Sequence, residues 1–464
     1  MEPVLPDHCD LVIVLPHLGP GGAQKVALMA ADHFIRHGLS VVLVTLLPDK
    51  PVAHVLPDGL LWIDLGPKVA ETWSDRALTA RAARFVKGWS RRLLAWFSLG
   101  MAWTVLRSIP PGRFAGLVHW LMTSVSGVQA SLLRDLLVRG RPVRVLSLLT
   151  RTNLLCCQAL WSSSGHLVVS ERNDPRLQTQ PFPWPRLQSW LWHRADVITA
   201  NTAGVLAGLK DCYPQRAREF RLLPNPLVVA PAAVRGSGAP SDRGDHCFLA
   251  VCRLVPQKGI DLLVRAYAQL PAPLRAVWPL VVVGDGPDRS LLETLAASLL
   301  PTGQVQFLGF QPNPMDFYRS GAVFVLPSRY EGMPNALLEA MGSGLAVIVS
   351  DASPGPLEVV GHGESGWVVP TEQVELLSDA MQRLAEDNEL RLRLGFAAAQ
   401  LMAAHSWDVL DATWRSALCL KCFTVVVISC SVFPESCDGA VDYSTGVRTG
   451  VSFAKKRCVC HVLV

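Results

Sequence analysis

The sequence predicts an α/β fold with parallel sheets, divided between two domains. Three observations predict it. Gly321 to Asp351 reads as an apolar run, a loop, a short helical pattern and a second apolar run. Two β-rich runs around one helix form a βαβ unit, whose strands are parallel. The chain has 464 residues, 50% hydrophobic and 17% charged, so it is globular and long enough for separate cores. Leu222 to Ser241 is rich in Pro, Gly, Ala and Ser and reads as an interdomain linker.

Within the βαβ unit, the first strand covers Ala322 to Leu326 and the loop Pro327 to Pro334. The helix covers Asn335 to Met341 and the second strand Leu345 to Val349. Loop and helix start therefore lie at the carboxyl ends of the strands, where open α/β sheets bind ligands. Glu331 is on the loop and Glu339, eight positions later, is on the helix. Between them Gly332 has no side chain. Asn335, Ala336 and Leu337 offer N–H groups near the helix N-terminus, an end that attracts anions. Pro334 suits the first helical position, because its missing N–H would have gone unpaired there. A phosphate-like group with a carboxylate on each side describes a nucleotide sugar. For the two acids alone, a helix cap with a solvated Glu is the plain alternative.

The string EGMPNALLEAMGSGLAVIVSD, Glu331 to Asp351, resembles the donor-site motif of family 4 glycosyltransferases, which are retaining enzymes of the GT-B fold. The resemblance runs from about Leu11 to about Ala417 and is weak between Lys68 and Arg139. It implies two Rossmann-like domains facing a cleft. It places Glu331 against the transferred sugar and Glu339 on the ribose hydroxyls, with Gly332, Met333, Pro334, Asn335 and Ala336 lining the donor. The implied reaction moves a sugar from a nucleotide diphosphate sugar, UDP favoured, to an acceptor hydroxyl with retention. The acceptor is a glycan or lipid-linked acceptor in surface polysaccharide synthesis, and neither cofactor nor metal is implied. The alternatives are a catalytically weak nucleotide-sugar-binding subunit and another GT-B enzyme such as a sugar-nucleotide epimerase.

From the start of the chain, Leu11 to Leu15 reads as a strand, followed by a glycine loop and an amphipathic helix. Gly21 and Gly22 allow backbone to come close to a ligand, or make a plain tight turn. The loop resembles the family's GG-A loop, which faces the donor phosphates. Gln24 and Lys25 stand where many relatives carry Glu and Arg. Val41 to Leu46 is the next strand. Residues 68–139 carry Trp73, Trp89, Trp96, Trp103 and Trp120 among Arg and Lys. This segment reads either as an interfacial element on an anionic membrane surface or as a packed helical pair with solvated Arg. Strands Val143 to Leu149 and Leu167 to Ser170 end in Thr150-Arg151 and Glu171-Arg172-Asn173-Asp174. Thr150, Arg151, Arg172 and Asn173 are the acceptor-side candidates; turn and cap roles are the alternative. The strings LLTRTN and SERNDP resemble a subgroup of bacterial polysaccharide glycosyltransferases. The active-site His of many relatives is replaced here by Thr150-Arg151. Asp196 to Ala200 reads as the last strand of this half.

In the second half, Cys247 to Cys252 is a strand, followed by Arg253, Lys258 and a helix over Ile260 to Leu270. Two cations at a strand end and helix start suit a diphosphate leaving group, and solvated surface charges are the alternative. R-x4-K-G also resembles the family's phosphate-binding pair. Strand Leu280 to Val283 ends in Gly284-Asp285-Gly286. Arg289 occupies the third glycine position of a dinucleotide fingerprint, so this is not one. The resemblance gives Gly284, Gly286 and the loop at Leu308 to the base.

The expected boundaries are 1–222 for the N-terminal acceptor-side domain, 223–243 for the linker and 244–405 for the donor domain. A final helix covers 406–417, and a Cys-rich tail of unassigned role covers 418–464. Six of the 12 Cys fall in that tail. Cys419, Cys422, Cys458 and Cys460 have partial zinc-ligand spacing, but their separation and the lack of a knuckle turn speak for an accretion instead. The net charge of +5 admits acidic partners and is no nucleic-acid signature. No basic and apolar leader is read at the N-terminus, so the expected location is cytoplasmic, peripheral on the inner face of the plasma membrane.

Overall fold

The computed structural model describes residues 4–48, 50–75, 128–139, 144–161, 163–177, 188, 191–214, 219–227, 246–320, 323–352, 354–420, 428–429 and 459–460. The chain forms two units, Met1–Leu420 and Lys421–Val464. In the second, the described residues are an antiparallel pair, Ile428–Ser429 with Val459–Cys460. Cys422 and Cys458 lie outside the described residues, as do the tryptophans and arginines of 76–127. Helices Gly66–Asp75 and Val128–Arg139 flank that segment. Among the described residues, no helix is long and apolar enough to cross a membrane.

The first unit contains two parallel sheets. One holds β1 (Leu11–Leu15), β2 (Val41–Thr45), β3 (Leu61–Asp64), β4 (Arg144–Leu148), β5 (His166–Glu171), β6 (Val197–Ala200) and β7 (Phe220–Leu222), in the order β3-β2-β1-β4-β5-β6-β7. The other holds β8 (Phe248–Val251), β9 (Leu280–Val283), β10 (Val305–Phe307), β11 (Val323–Leu326), β12 (Ala346–Ser350) and β13 (Trp367–Val369), in the order β10-β9-β8-β11-β12-β13. Strands β1, β2, β11 and β12 are buried along their whole length. Helices on both faces of a parallel sheet produce such continuous apolar runs.

The strand order reverses between β1 and β4 in the first sheet and between β8 and β11 in the second. A crevice opens at the carboxyl end of such a switch point. The loops that follow these four strands carry Gly21, Thr150, Arg253 and Glu331. The topology therefore brings the principal candidate residues to the two crevices.

Strands β3, β7, β10 and β13 were not expected from sequence, which ended the first half at β6. All four are the outer strands of their sheets. An edge strand is covered on fewer sides, so it needs no unbroken apolar run and gives little periodic signal.

The chain crosses between the two cores twice. Leu223 packs in the first domain's core and Leu227 in the second's. Met402 packs in the second core, and helix Trp407–Leu418 returns Leu410, Trp414 and Leu418 to the first. There Trp407 stacks on His33 at 4.0 Å, and the Trp414 indole donates to the Pro224 carbonyl at 3.1 Å.

The sequence starts the tail at Leu418; the compact unit runs on to Leu420. Leu418 and Leu420 are core residues, and the Cys419 carbonyl accepts from Arg144 Nε at 2.7 Å. A chain truncated after Leu420 is expected to keep its melting temperature and its nucleotide affinity. Truncation after Ala417 removes two buried leucines, each worth about 2–5 kcal/mol. Equal melting temperatures for the two truncations would contradict this boundary.

Candidate active site

The loop after β11 presents Glu331, which is 6% exposed. Lys258 Nζ donates to Glu331 Oε1, and Ser328 Oγ donates to the same oxygen at 2.7 Å. Lys258 ends a short 3-10 turn, Pro256–Lys258, and Gly259 follows with φ 64°. A Cβ at Gly259 would collide with the Pro327 carbonyl, so glycine lets the lysine turn lie against the acidic loop. Arg253 is exposed at the end of β8. Its charge reaches His17 on the loop after β1. Burial, then Lys50, then Arg253 push the His17 imidazole below its ordinary value.

Glu339 lies in the second turn of helix Asn335–Gly342 and is also 6% exposed. Lys25 Nζ, from helix Gly22–Arg36 of the other domain, sits 2.5 Å from its Oε1. Burial, followed by the Glu339 charge, pushes the Tyr318 phenol well above its ordinary value. Lys25, His54, Met315, Asn335, Leu338 and Glu339 help line a cleft of about 740 Å³ between the domains. Each acid thus has its own lysine. In the Glu339–Lys25 pair the two charges come from opposite walls of the cleft.

The rest of the donor loop also meets the first domain. Asn335 Nδ2 donates to the Gly22 carbonyl at 2.9 Å. A Cβ at Gly332 would collide with the Arg172 carbonyl, so this glycine admits the opposing domain. Gly284 and Gly286 likewise face the carbonyls of Cys252 and Leu254, which lets the β9 loop pack on the loop that carries Arg253. At Gly21 the added atom would meet the Gln24 side chain. Leu308 is 38% exposed and Met333 is buried. Pro334, expected as the first helical residue, is instead the extended cap with ψ 118°, and Asn335 begins the helix. The Pro334 carbonyl accepts from Leu337 N at 3.1 Å. Of the three N–H groups expected to be open, that of Leu337 is therefore occupied, whereas Asn335 and half-buried Ala336 stand at the helix start.

On the opposite side the four acceptor-side candidates separate. Arg151 is exposed and Asn173 is half-buried. Thr150 Oγ1 donates to Glu171 Oε2 at 2.7 Å, while Asn153 and Gln188 donate to Oε1 at 2.9 and 3.4 Å. The residue before Thr150, Leu149, has φ 75°, a conformation that costs a branched side chain about 1–3 kcal/mol. Arg172 turns its guanidinium into the protein, where burial lowers it to about 10. Its Nη1 donates to Asn225 Oδ1 at 2.5 Å.

Sequence reasoning named Lys25 and Glu171 without giving either a site role, and did not name Asn225. Lys25 is marked only by its place after the glycine loop, and Asn225 only by the linker string LPNP.

Burial raises the Glu171 carboxyl from 4.5 to about 7, opposed by the Thr150 and Asn153 hydrogen bonds and then by Arg172. The folded state therefore binds more protons than the unfolded chain between about pH 4.5 and 7. Stability falls as pH rises through that window, by up to on the order of 3 kcal/mol. Glu171→Gln is expected to flatten this slope. Urea unfolding at several pH values checks it, and parallel pH curves for parent and variant would contradict it.

Residues 238–401 match the family described as Glycosyl transferases group 1. That stretch is similar to the glycosyltransferase domains of this group. The Rhizobium meliloti lipopolysaccharide core biosynthesis glycosyltransferase LpsE is 32% identical over 207 residues, 44% of this chain and 58% of that protein. A Campylobacter jejuni 4-alpha-N-acetylgalactosaminyltransferase, named for a diphospho-undecaprenol substrate, is 28% identical over 251 residues, 52% of this chain and 67% of that protein. A Streptomyces coelicolor exopolysaccharide phosphotransferase is 34% identical over 221 residues, 47% of this chain but 23% of that protein. The chain thus spans between 23% and 67% of these relatives' lengths. Among solved structures, Anabaena HepE in complex with UDP and glucose superposes with TM-score 0.63 at 15% identity, covering 88% of this chain and 99% of that one. Sucrose-phosphate synthase from Thermosynechococcus elongatus gives TM-score 0.64 at 17% identity, covering 88% and 98%. At such identities the likeness concerns the fold. Two parallel sheets facing a cleft, the GT-B arrangement, is the architecture of the matched stretch and its partner domain.

Proposed function

We propose that this protein is a retaining glycosyltransferase that moves a sugar from a nucleotide diphosphate sugar to an acceptor hydroxyl. The observation that carries the reading is the pair of buried acids at the switch point, Glu331 held by Lys258 and Glu339 by Lys25. In this reading the diphosphate lies at the start of helix Asn335–Gly342, between Arg253 and Lys258. Glu339 accepts the ribose hydroxyls and Glu331 orients the sugar. The bond from the anomeric carbon to the bridging phosphate oxygen breaks, and its electron pair stays on the departing diphosphate. The acceptor oxygen bonds to the anomeric carbon on the same face, and its proton passes to a diphosphate oxygen. Two cations and a helix end supply the positive field, so the chemistry needs no metal or other cofactor.

UDP is the favoured nucleotide, in keeping with the UDP named for the HepE complexes. The lipopolysaccharide and diphospho-undecaprenol names of the relatives favour a glycan or lipid-linked acceptor, with the protein peripheral on the inner membrane face. A panel of nucleotide sugars tests the reading. Release of free nucleoside diphosphate from at least one supports it, and binding without turnover of any would favour a nucleotide-sugar-binding subunit.

A further inference from the structure

Between the two domains runs a chain of side-chain amides whose direction is fixed. Arg172 can only donate, so the oxygen of Asn225 must face its Nη1, at 2.5 Å. The amide nitrogen of Asn225 then faces the donor loop. Its two hydrogens go to the Met333 carbonyl at 3.0 Å and to Asn335 Oδ1 at 2.6 Å. That fixes the second amide in turn, and Asn335 Nδ2 donates to the Gly22 carbonyl at 2.9 Å. The path starts in the first domain, passes through the linker and the first residue of the donor helix, and ends on the glycine loop of the first domain.

Asn225 is the residue on which these bonds converge. It is 3% exposed. Its backbone is held on both sides: the Pro224 carbonyl accepts from Trp414, its own carbonyl accepts from His405 Nδ1 at 2.9 Å, and Leu227 N donates to the His405 carbonyl at 2.8 Å. A clamped backbone leaves the side chain one place to point. Arg172 Nε and Nη2 have no partner among the described residues, so the Asn225 bond weighs heavily in holding that guanidinium.

We propose that Asn225 is a positioning residue for the donor site: it sets Met333 and Asn335 at the start of the donor helix and, through Asn335, the glycine loop opposite. This rests on the glycosyl-transfer reading of that site. Asn225 touches no reacting atom in this account; it acts through the two loops that do.

Asn225→Asp separates this role from a merely structural one. The carboxylate keeps an acceptor for Arg172, now as an ion pair, which offsets part of the cost of burying it. It cannot donate, and it sets a negative charge against two oxygens. UDP binding, measured by calorimetry, is expected to weaken by roughly ten- to a hundredfold. In an Asn335→Ala background the same change should cost less, the remainder passing through the Met333 carbonyl. Asn225→Ala, which lowers stability as well, gives the reference for a structural loss. Unchanged UDP affinity in Asn225→Asp, or a loss that only follows a fall in melting temperature, would overturn the inference while leaving the proposed function standing. A parent protein that binds none of UDP, GDP, ADP and dTDP removes the proposed function, and this inference with it.

Discussion

Lys258→Ala is expected to lower kcat/KM for glycosyl transfer by about 10²–10³, the loss associated with one electrostatic partner of the developing charge. Bond cleavage puts more negative charge on the bridging oxygen than the intact donor carries. A cation aimed there helps the transition state more than the ground state. Lys258 also pairs with Glu331, and both groups are largely buried, at 14% and 6% side-chain exposure. Removing the lysine takes the ion-pair partner from a buried carboxylate, so a fall in melting temperature should accompany the fall in rate. Lys258→Arg keeps a charge and should recover part of both. Added Mg²⁺ should restore neither, because no Asp-x-Asp pair marks a metal site in this sequence. Steady-state rates with and without Mg²⁺ decide the matter. Near-normal turnover of an Arg253→Ala, Lys258→Ala double variant, or strict dependence of the parent on a divalent metal, would overturn this account of the leaving group.

The second large effect falls on nucleotide affinity. On the proposed reading, Glu339→Ala removes a charged acceptor from the ribose hydroxyls, worth about 1.5–3 kcal/mol, or roughly ten- to a hundredfold in dissociation constant. Glu331→Gln should instead damage turnover more than affinity. The Lys25 pair adds a condition to the first result. While Lys25 sits 2.5 Å from Glu339, the ribose must share or displace it, and in Glu339→Ala the freed ammonium can turn to the diphosphate. The loss in Glu339→Ala should therefore be smaller than in a Lys25→Met, Glu339→Ala double variant. Calorimetry with free nucleoside diphosphate measures all three. An equal loss of affinity in Glu331→Gln and Glu339→Ala would sink this division of roles.

The inner strands were legible because burial on both faces writes an unbroken apolar run into the sequence. Leu11–Leu15 and Leu280–Val283 coincide with the expected spans, and β11 and β12 lie within a residue of them. The outer strands were not, since β3 has one buried residue in four and β7 one in three. In the site, Glu331, Glu339, Arg253 and Lys258 follow strands, which puts them at the carboxyl ends of the sheets; their expected roles came from the resemblance to the donor-site motif and to R-x4-K-G. Their partners could not be placed. Lys25 stands 314 positions from Glu339, and Asn225 stands 110 from Asn335. No local period links residues on opposite walls of a cleft; only the fold brings them together. Glycines carried the least information. The same missing Cβ serves a ligand, a turn or a neighbouring backbone, and at Gly284, Gly286 and Gly332 it serves backbone.

The two crossings between the cores also govern how the domains can move. Leu223 to Leu227 and Met402 to Leu410 run side by side, tied by the His405 hydrogen bonds to Asn225 and Leu227. Two adjacent strips of chain act like the leaves of a door hinge. Such a pair of strips is expected to yield to rotation about the line they share more readily than to sliding or separation. The arrangement has a mechanical corollary: a single backbone cut in the first crossing would leave the two halves still joined through the second.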